Sequence, residues 1–164
     1  MWQAIRGILA GAAAGAAGTT ALNAATYLDM TWRGRPASST PEETVERLAD
    51  KAGHPVPGEG ETRDNRLSGL GALSGAATGV GIGAAVGALR ALGVRVPPAA
   101  GAVLVGAAAM AVTDGTMAAL RVSDPRTWPA SSWLSGAVPH LAYGAVTCAT
   151  LDAILARRRA LPGR

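Results

Sequence analysis

The segment from Leu67 to Leu89, LSGLGALSGAATGVGIGAAVGAL, decides the fold of this chain. It carries no charged side chain, and Arg66 and Arg90 bound it on either side. A helix needs about 20 apolar residues to cross roughly 30 Å of bilayer hydrocarbon, so the segment is long enough to span a membrane. Its glycines recur at every fourth position, a spacing that lets two helices approach closely in lipid.

Three further segments have the same apolar character, and each contains at most one acidic residue. Uncharged runs of this length are typical of membrane spans and rare in soluble helices. Together the four segments predict an all-α fold, a four-span transmembrane helical bundle formed by a single membrane domain of residues 1–164. The predicted helices are residues 4–30, 66–91, 97–121 and 132–158.

The composition supports this interpretation. Hydrophobic residues make up 49% of the chain, yet aromatic residues make up only 4% and Phe is absent. Soluble cores depend on large side chains such as Phe, Leu and Ile, so a large soluble core is disfavoured. Charged residues account for 16%, against about 25% in soluble domains, which argues against disorder. Two alternatives remain open: a soluble alanine-rich bundle, and a cleaved signal peptide around residues 8–18.

Tryptophan and arginine mark the predicted membrane boundaries, because both residue types favour the membrane–water interface. Trp2 falls on the side of the two termini, and the other three tryptophans fall on the opposite face. The arginine triplet after the last span favours cytoplasmic termini in a plasma membrane, which would be the inner membrane of a bacterium. The net charge of +4 is not concentrated on one helix face, so no nucleic-acid partner is predicted. The interface anchors are Trp2, Trp32, Trp128, Trp133, Arg157, Arg158 and Arg159.

The polar connection, residues 31–65, is predicted to contain one short amphipathic helix, residues 41–52. Thr40, Pro41 and Glu43 form a capping-box pattern with proline at the first helical position. Gly53 and the prolines after it end the helix. We expect this helix to lie on the membrane surface or to dock on the ends of the spans. The alternative is a docking helix for another protein.

Two rows of four-spaced glycines predict the helix contacts. Close backbone approach is a main source of helix association in lipid, where no hydrophobic force acts between spans. A step of four residues turns a helix by about 400°, so such a row drifts by about 40° per member. The rows fit packing inside one protomer or, alternatively, a homo-oligomer in the lipid bilayer. Their members are Gly7, Gly11, Gly15, Gly71, Gly75, Gly79, Gly83 and Gly87.

Three polar residues form a predicted intramembrane cluster: Asn23, Asp114 and His140. Asn23 lies seven residues before Met30, Asp114 seven before Arg121 and His140 seven after Trp133, so all three lie about 10 Å below the same membrane face. A carboxylate in lipid costs at least a few kcal/mol and should find a partner inside the bundle. We therefore expect Asp114 to pair with His140, with Asn23 nearby. The pair would be either a structural clamp or a proton or ion relay.

Catalytic and metal-binding patterns are not visible in the sequence. His54, His140 and Cys148 lack the spacing of metal ligands, so neither a metal nor a cofactor is predicted. No Ser-His-Asp or paired-carboxylate arrangement is visible, and we expect no enzyme. Asp152 lies near the end of the last span, where it can reach headgroups or the arginine triplet.

The last predicted helix, from Pro139-His140-Leu141-Ala142-Tyr143-Gly144 to the arginine triplet, resembles the closing helix of YagU-type bacterial inner-membrane proteins. The resemblance covers about forty residues and implies a small multi-span inner-membrane protein, with no mechanism attached. The expected function is that of a non-enzymatic packing or assembly component. The alternative is a small channel or transporter subunit that uses Asp114 and His140.

Overall fold

The structure, a computed structural model, describes residues 1–160, with side chains as far as residue 156. This part of the chain is helical and contains no strand, which confirms the predicted all-α class. The helices are α1 (Trp2–Arg33), α2 (Thr40–Lys51), α3 (Gly60–Ala91), α4 (Pro98–Ala119) and α5 (Ala130–Ala160), with a 3-10 turn at Pro125–Thr127.

Four of these helices, α1, α3, α4 and α5, are long and apolar enough to cross a membrane. Helices α1 and α3 have 32 residues each, about 48 Å at 1.5 Å per residue, so they exceed the hydrocarbon thickness. The observed bounds differ from the predicted ones by zero to six residues. The largest difference is at α3, because its charged first turns continue the helix beyond the apolar segment.

Left-handed backbone conformations end three of the helices, and a proline begins α4. Gly34 and Gly93 adopt left-handed conformations after α1 and α3, at φ 61° and φ 90°. Arg121 does the same after α4, at φ 58°. Pro98 occupies the first turn of α4, where the missing N–H has no cost.

The spans form a bundle in which α1 packs between α3 and α5, and α5 packs between α1 and α4. Helices α3 and α4 touch only slightly. Few large side chains are fully buried, since the helices approach closely through glycine and alanine. The buried side chains that fill the remaining space form two clusters, one of Val105, Ala109, Tyr143 and Cys148 and one of Ala10, Ala14 and Leu151.

The amphipathic helix α2 docks on the first half of α3. Pro41 and Glu42 lie against Gly71, and Arg63 pairs with Glu46 at 2.7 Å. Leu48 remains 46% exposed, so part of the apolar face of α2 is not covered by α3. Helix α2 thus contacts the first half of α3, and its placement on the membrane surface stays a prediction.

Candidate functional site

The interface between α1 and α3 is built from glycine on both sides. Three pairs face one another in antiparallel order: Gly7 with Gly87, Gly11 with Gly83, and Gly15 with Gly79. A methyl group added at Gly83 would lie 2.5 Å from the Cα of Gly15, and one added at Gly7 would lie 2.5 Å from the carbonyl oxygen of Gly87. The two backbones are thus in direct contact.

The remaining members of the predicted rows behave differently. Gly71 is buried against α2, whereas Gly75 is exposed and faces open space. The drift of about 40° per member explains the split, because a row that faces α1 at one end turns away from it at the other. Seven of the eight glycines are buried within this chain. Only Gly75 of the two rows is exposed and could contact a second copy in a homo-oligomer.

The interface between α4 and α5 also depends on glycine, but on one close pair. A methyl group at Gly106 would lie 2.6 Å from the carbonyl oxygen of His140, and one at Gly144 would lie 2.6 Å from the amide nitrogen of Gly106. On either side of this pair the contacts are looser. Gly101 faces the Sγ of Cys148, and Gly136 faces the end of the Met110 side chain.

Tyr143 joins three helices at the centre of the bundle. Its side chain is 1% exposed, and its hydroxyl donates to the carbonyl oxygen of Gly79 at 2.6 Å. Gly18 of α1 makes room for Tyr143 and for the fully buried Thr147. Tyr143 is not among the site residues predicted from the sequence. The available signal was its position inside an apolar span, where a hydroxyl group needs a partner.

Asp114 and His140 lie on neighbouring helices, and Thr113 links them. The Oγ1 atom of Thr113 lies 3.3 Å from Nε2 of His140 and donates to Oδ1 of Asp114 at 3.5 Å. The other ring nitrogen of His140 contacts the carbonyl oxygen of Gly136 at 2.8 Å. Among the described residues no direct Asp114–His140 hydrogen bond or salt bridge is present, so the expected direct pair is replaced by a chain through the threonine.

Asn23 does not join this cluster. Its side chain is exposed on α1, and no described hydrogen bond connects it to Asp114 or His140. Three glycines of α1 face α3, and Gly11 is the middle one. Asn23 lies twelve residues after Gly11, so it points about 120° away from the face that contacts α3. Equal depth in the membrane therefore did not place Asn23 on the same side of the bundle.

Asp114 opens into a shallow groove of about 330 Å³ between α4, the 3-10 turn and α5. The lining is almost entirely apolar. Asp114 lies five residues before Ala119, the end of α4, which is about 8 Å along the helix axis. The groove lining includes Ala111, Gly115, Pro125 and Trp133. The carboxylate thus faces sideways at the edge of the bundle, near one membrane surface.

A polar cluster lies at the same end of the bundle, where α1 meets α5. Asp29 accepts from Nε of Arg35 at 2.5 Å and pairs with Arg33 at 3.5 Å. Ser135 donates to Asp29 at 3.3 Å and accepts from Arg33 at 2.5 Å. Asp29, Arg33 and Ser135 border a second groove of about 460 Å³.

The predicted interface anchors occupy helix ends. Trp2 and Trp32 are 72% and 90% exposed, as expected of side chains that face lipid headgroups. Trp128 packs on Trp133 with ring centroids 5.3 Å apart and donates its Nε1 hydrogen to Ser123 at 2.7 Å. The side chains of Arg157, Arg158 and Arg159 lie outside the described residues.

Two carboxylates outside the grooves have partners among the described residues. Asp152 pairs with Arg90 of α3 at 3.1 Å. In the α4–α5 connection, Asp124 caps the 3-10 turn by accepting from the backbone of Arg126. The hydrogen bond from the Arg126 guanidinium lowers the pKa of Asp124 below its ordinary value.

Neither metal-site geometry nor comparison with known proteins adds a function to these sites. Among the described residues, no three His, Cys, Asp or Glu side chains are grouped as metal ligands would be. The resemblance to YagU-type proteins stays an expectation from the sequence. Comparisons with protein-family models, with curated proteins and with solved structures find no match to this chain.

Proposed function

We propose that this chain is a non-enzymatic packing or assembly component of a bacterial inner membrane. Its role would be to hold a transmembrane helix of another protein in the α4–α5 groove, through a basic side chain that pairs with Asp114. The observation that carries this proposal is the sideways exposure of Asp114 in an apolar groove. The glycine contacts between α1 and α3 support it, because they make that part of the bundle a rigid frame.

The physical argument starts from the cost of the carboxylate. An acidic side chain within a membrane span is expensive unless it has a cationic or hydrogen-bonding partner. Thr113 supplies only one long hydrogen bond, at 3.5 Å. The face of α4 that carries Asp114 is apolar and open: Ala107 and Ala111 line the groove, and Val103, three turns before Asp114, is 54% exposed. A partner helix would cover this face and bring a positive charge to Asp114.

A model helix tests the proposal. The probe is a synthetic leucine–alanine transmembrane helix with one arginine about 8 Å from the membrane surface, compared with the same helix carrying leucine there. Energy transfer in liposomes would measure association with the protein. We expect a preference of about five-fold for the arginine helix, since such contacts in membranes contribute about 1 kcal/mol.

The matched variants are Asp114→Asn and Asp124→Asn, which remove the same charge on the same side of the membrane. Asp114→Asn should abolish the preference, because the neutral amide no longer attracts the guanidinium. Asp124→Asn should keep it, because this residue lies in the connection and outside the groove. Equal association of both helices with the unmodified protein would contradict the proposal.

The second candidate function is a proton-transfer subunit of a small channel or transporter. The observation that favours it is the chain of contacts from Asp114 through Thr113 to His140. Such acid–histidine chains occur in membrane proteins that move protons. Proton flux into liposomes that Asp114→Asn abolishes, with an unchanged unfolding midpoint, would favour this candidate over the packing role.

The orientation with cytoplasmic termini also belongs to this proposal. Ser38→Cys and Val94→Cys, each in a Cys148→Ala background, place a thiol in connections at opposite ends of the bundle. In whole cells an impermeant maleimide should label the cysteine at position 38 only. Labelling of position 94 only would reverse the orientation, and labelling of both would contradict the four-span arrangement.

A further inference from the structure

The polar cluster between α1 and α5 carries an excess of positive charge. The described salt bridges join two guanidinium groups, those of Arg33 and Arg35, to one carboxylate, that of Asp29. Arg35 holds Asp29 at the shorter distance, while the Arg33 contact is long and its side chain is 40% exposed. A guanidinium has five N–H donors, so Arg33 can bind a third acceptor in addition to Ser135 and Asp29. The cluster is therefore suited to an additional anion.

The groove beside this cluster has both polar and apolar walls. Its polar lining residues are Asp29, Arg33, Ser131 and Ser135. Along α5, Leu134 lies between the two serines, and Val138 lies about one turn further into the span. From Ser131 to Val138 the helix rises by about 10 Å. Leu134 and Val138 are more than half exposed, so this wall faces lipid.

A proline adds an acceptor to the polar end of the groove. Pro139 lies inside α5 and has no N–H, so it cannot donate to the carbonyl group of Ser135 four residues earlier. In lipid an unsatisfied carbonyl group is costly unless water or a ligand donates to it. This carbonyl group lies one turn from Ser131, at the level where lipid headgroups and their hydroxyl groups are found.

We propose that the groove between α1 and α5 binds one anionic phospholipid, with the phosphate on Arg33 and Ser131 and an acyl chain along Leu134 and Val138. Charge complementarity selects the ligand, since the cluster has one positive charge in excess and phospholipid phosphates are the anions present at this depth. The apolar wall selects a lipid over a soluble phosphate. Trp32, at the end of α1, flanks the site at the level of the headgroups.

Native mass spectrometry of the purified full chain tests the proposal by titration with phosphatidylglycerol and with phosphatidylcholine. We expect preferential binding of the anionic lipid. Arg33→Gln should weaken this binding about five-fold, the equivalent of about 1 kcal/mol for one basic residue near a lipid surface. Arg33→Lys keeps the charge and should bind within about two-fold of the unmodified protein, which separates charge from any effect on folding.

The matched control is Arg47→Gln, which removes the same charge from the exposed surface of α2 at the same end of the bundle. It should leave phosphatidylglycerol binding unchanged. Equal weakening by Arg33→Gln and Arg47→Gln would overturn the proposal, as would equal binding of the two lipids. Competition by glycerol phosphate as effective as that by the whole lipid would identify a soluble phosphate site and would also overturn it.

Discussion

The α1–α3 interface and the α4–α5 interface both depend on glycine, but they differ in what lies opposite each glycine. Between α1 and α3, glycine faces glycine at three successive levels, and backbone atoms meet backbone atoms except beside Gly79, where the Thr19 side chain makes the contact. Between α4 and α5, only Gly106 and Gly144 meet in this way, and their neighbours face the flexible ends of Met110 and Cys148. The second interface can adjust to an added atom at its edges, and the first cannot.

The two interfaces also differ in the polar side chains that they contain. Between its three levels of glycine the α1–α3 interface leaves no space for a large side chain, and only small side chains such as Thr19 and Ala91 contact the opposite helix. The α4–α5 interface is looser toward the end of α4, and Thr113, Asp114 and His140 lie there. A rigid part and an adjustable part thus share one bundle, and the groove lies on the adjustable part.

Replacement of Gly83 by alanine should have the largest effect. The new methyl group would lie 2.5 Å from the Cα of Gly15, and neither backbone can move without opening the whole interface. We expect a loss of about 3 kcal/mol in the free energy of unfolding, the upper part of the usual range for overpacking. Unfolding in mixed micelles with sodium dodecyl sulfate would measure it.

The matched control is Gly75→Ala, in the same row of the same helix. Nothing lies within 4 Å of a methyl group at this position, so stability should be unchanged or slightly increased. Similar losses of stability from Gly75→Ala and Gly83→Ala would show that the loss comes from replacing glycine within α3, and not from the contact with α1.

A smaller effect is expected at the α4–α5 interface. Gly144→Ala would place a methyl group against the carbonyl oxygen of Ala102 and 2.6 Å from the amide nitrogen of Gly106. It should cost about 2 kcal/mol in the same assay, because only one close pair has to separate. Gly101→Ala meets only the Sγ of Cys148 at 3.4 Å, an ordinary contact, and should be tolerated. Strong destabilisation by Gly101→Ala would mean that the second interface is as rigid as the first.

Tyr143→Phe should destabilise the protein by about 1 kcal/mol, the usual net contribution of one hydrogen bond. The substitution removes the hydroxyl that donates to Gly79 without adding volume. Tyr27→Phe is the control, since Tyr27 is 62% exposed on α1. The difference in unfolding free energy between the two variants measures the contribution of the Tyr143 hydrogen bond. A zero difference would show that this hydrogen bond does not help to join the three helices.

The smallest effect concerns the link through Thr113. In a double-mutant cycle, Asp114→Asn and His140→Ala should be coupled by about 0.6 kcal/mol, the average for polar contacts between membrane helices. The coupling should fall close to zero in a Thr113→Val background, because the threonine hydroxyl is what connects the two side chains. Coupling that persists without the hydroxyl would indicate a direct interaction between Asp114 and His140, as expected from the sequence.

Periodicity and hydrophobic length were enough to predict the four spans and the short helix in the first connection. They could not assign partners, because a row of glycines looks the same whether it faces another span, a surface helix or lipid. Gly71, Gly75 and Gly79 are consecutive in one row and have these three different surroundings: α2, open space and α1. The polar residues show the same limit. The depth of a residue in the membrane follows from its number, but the neighbour that it faces around the helix axis does not.

By itself, the sequence determined that the chain is all-α, that four helices can span a membrane, and that backbone contact at glycine holds helices together. These properties depend on residues close together in the chain. The tertiary structure alone decided that α1 packs between α3 and α5, that Thr113 lies between Asp114 and His140, and that Tyr143 reaches the backbone of α3. Such contacts depend on the rotation and order of whole helices, which small energy differences between alternative packings select.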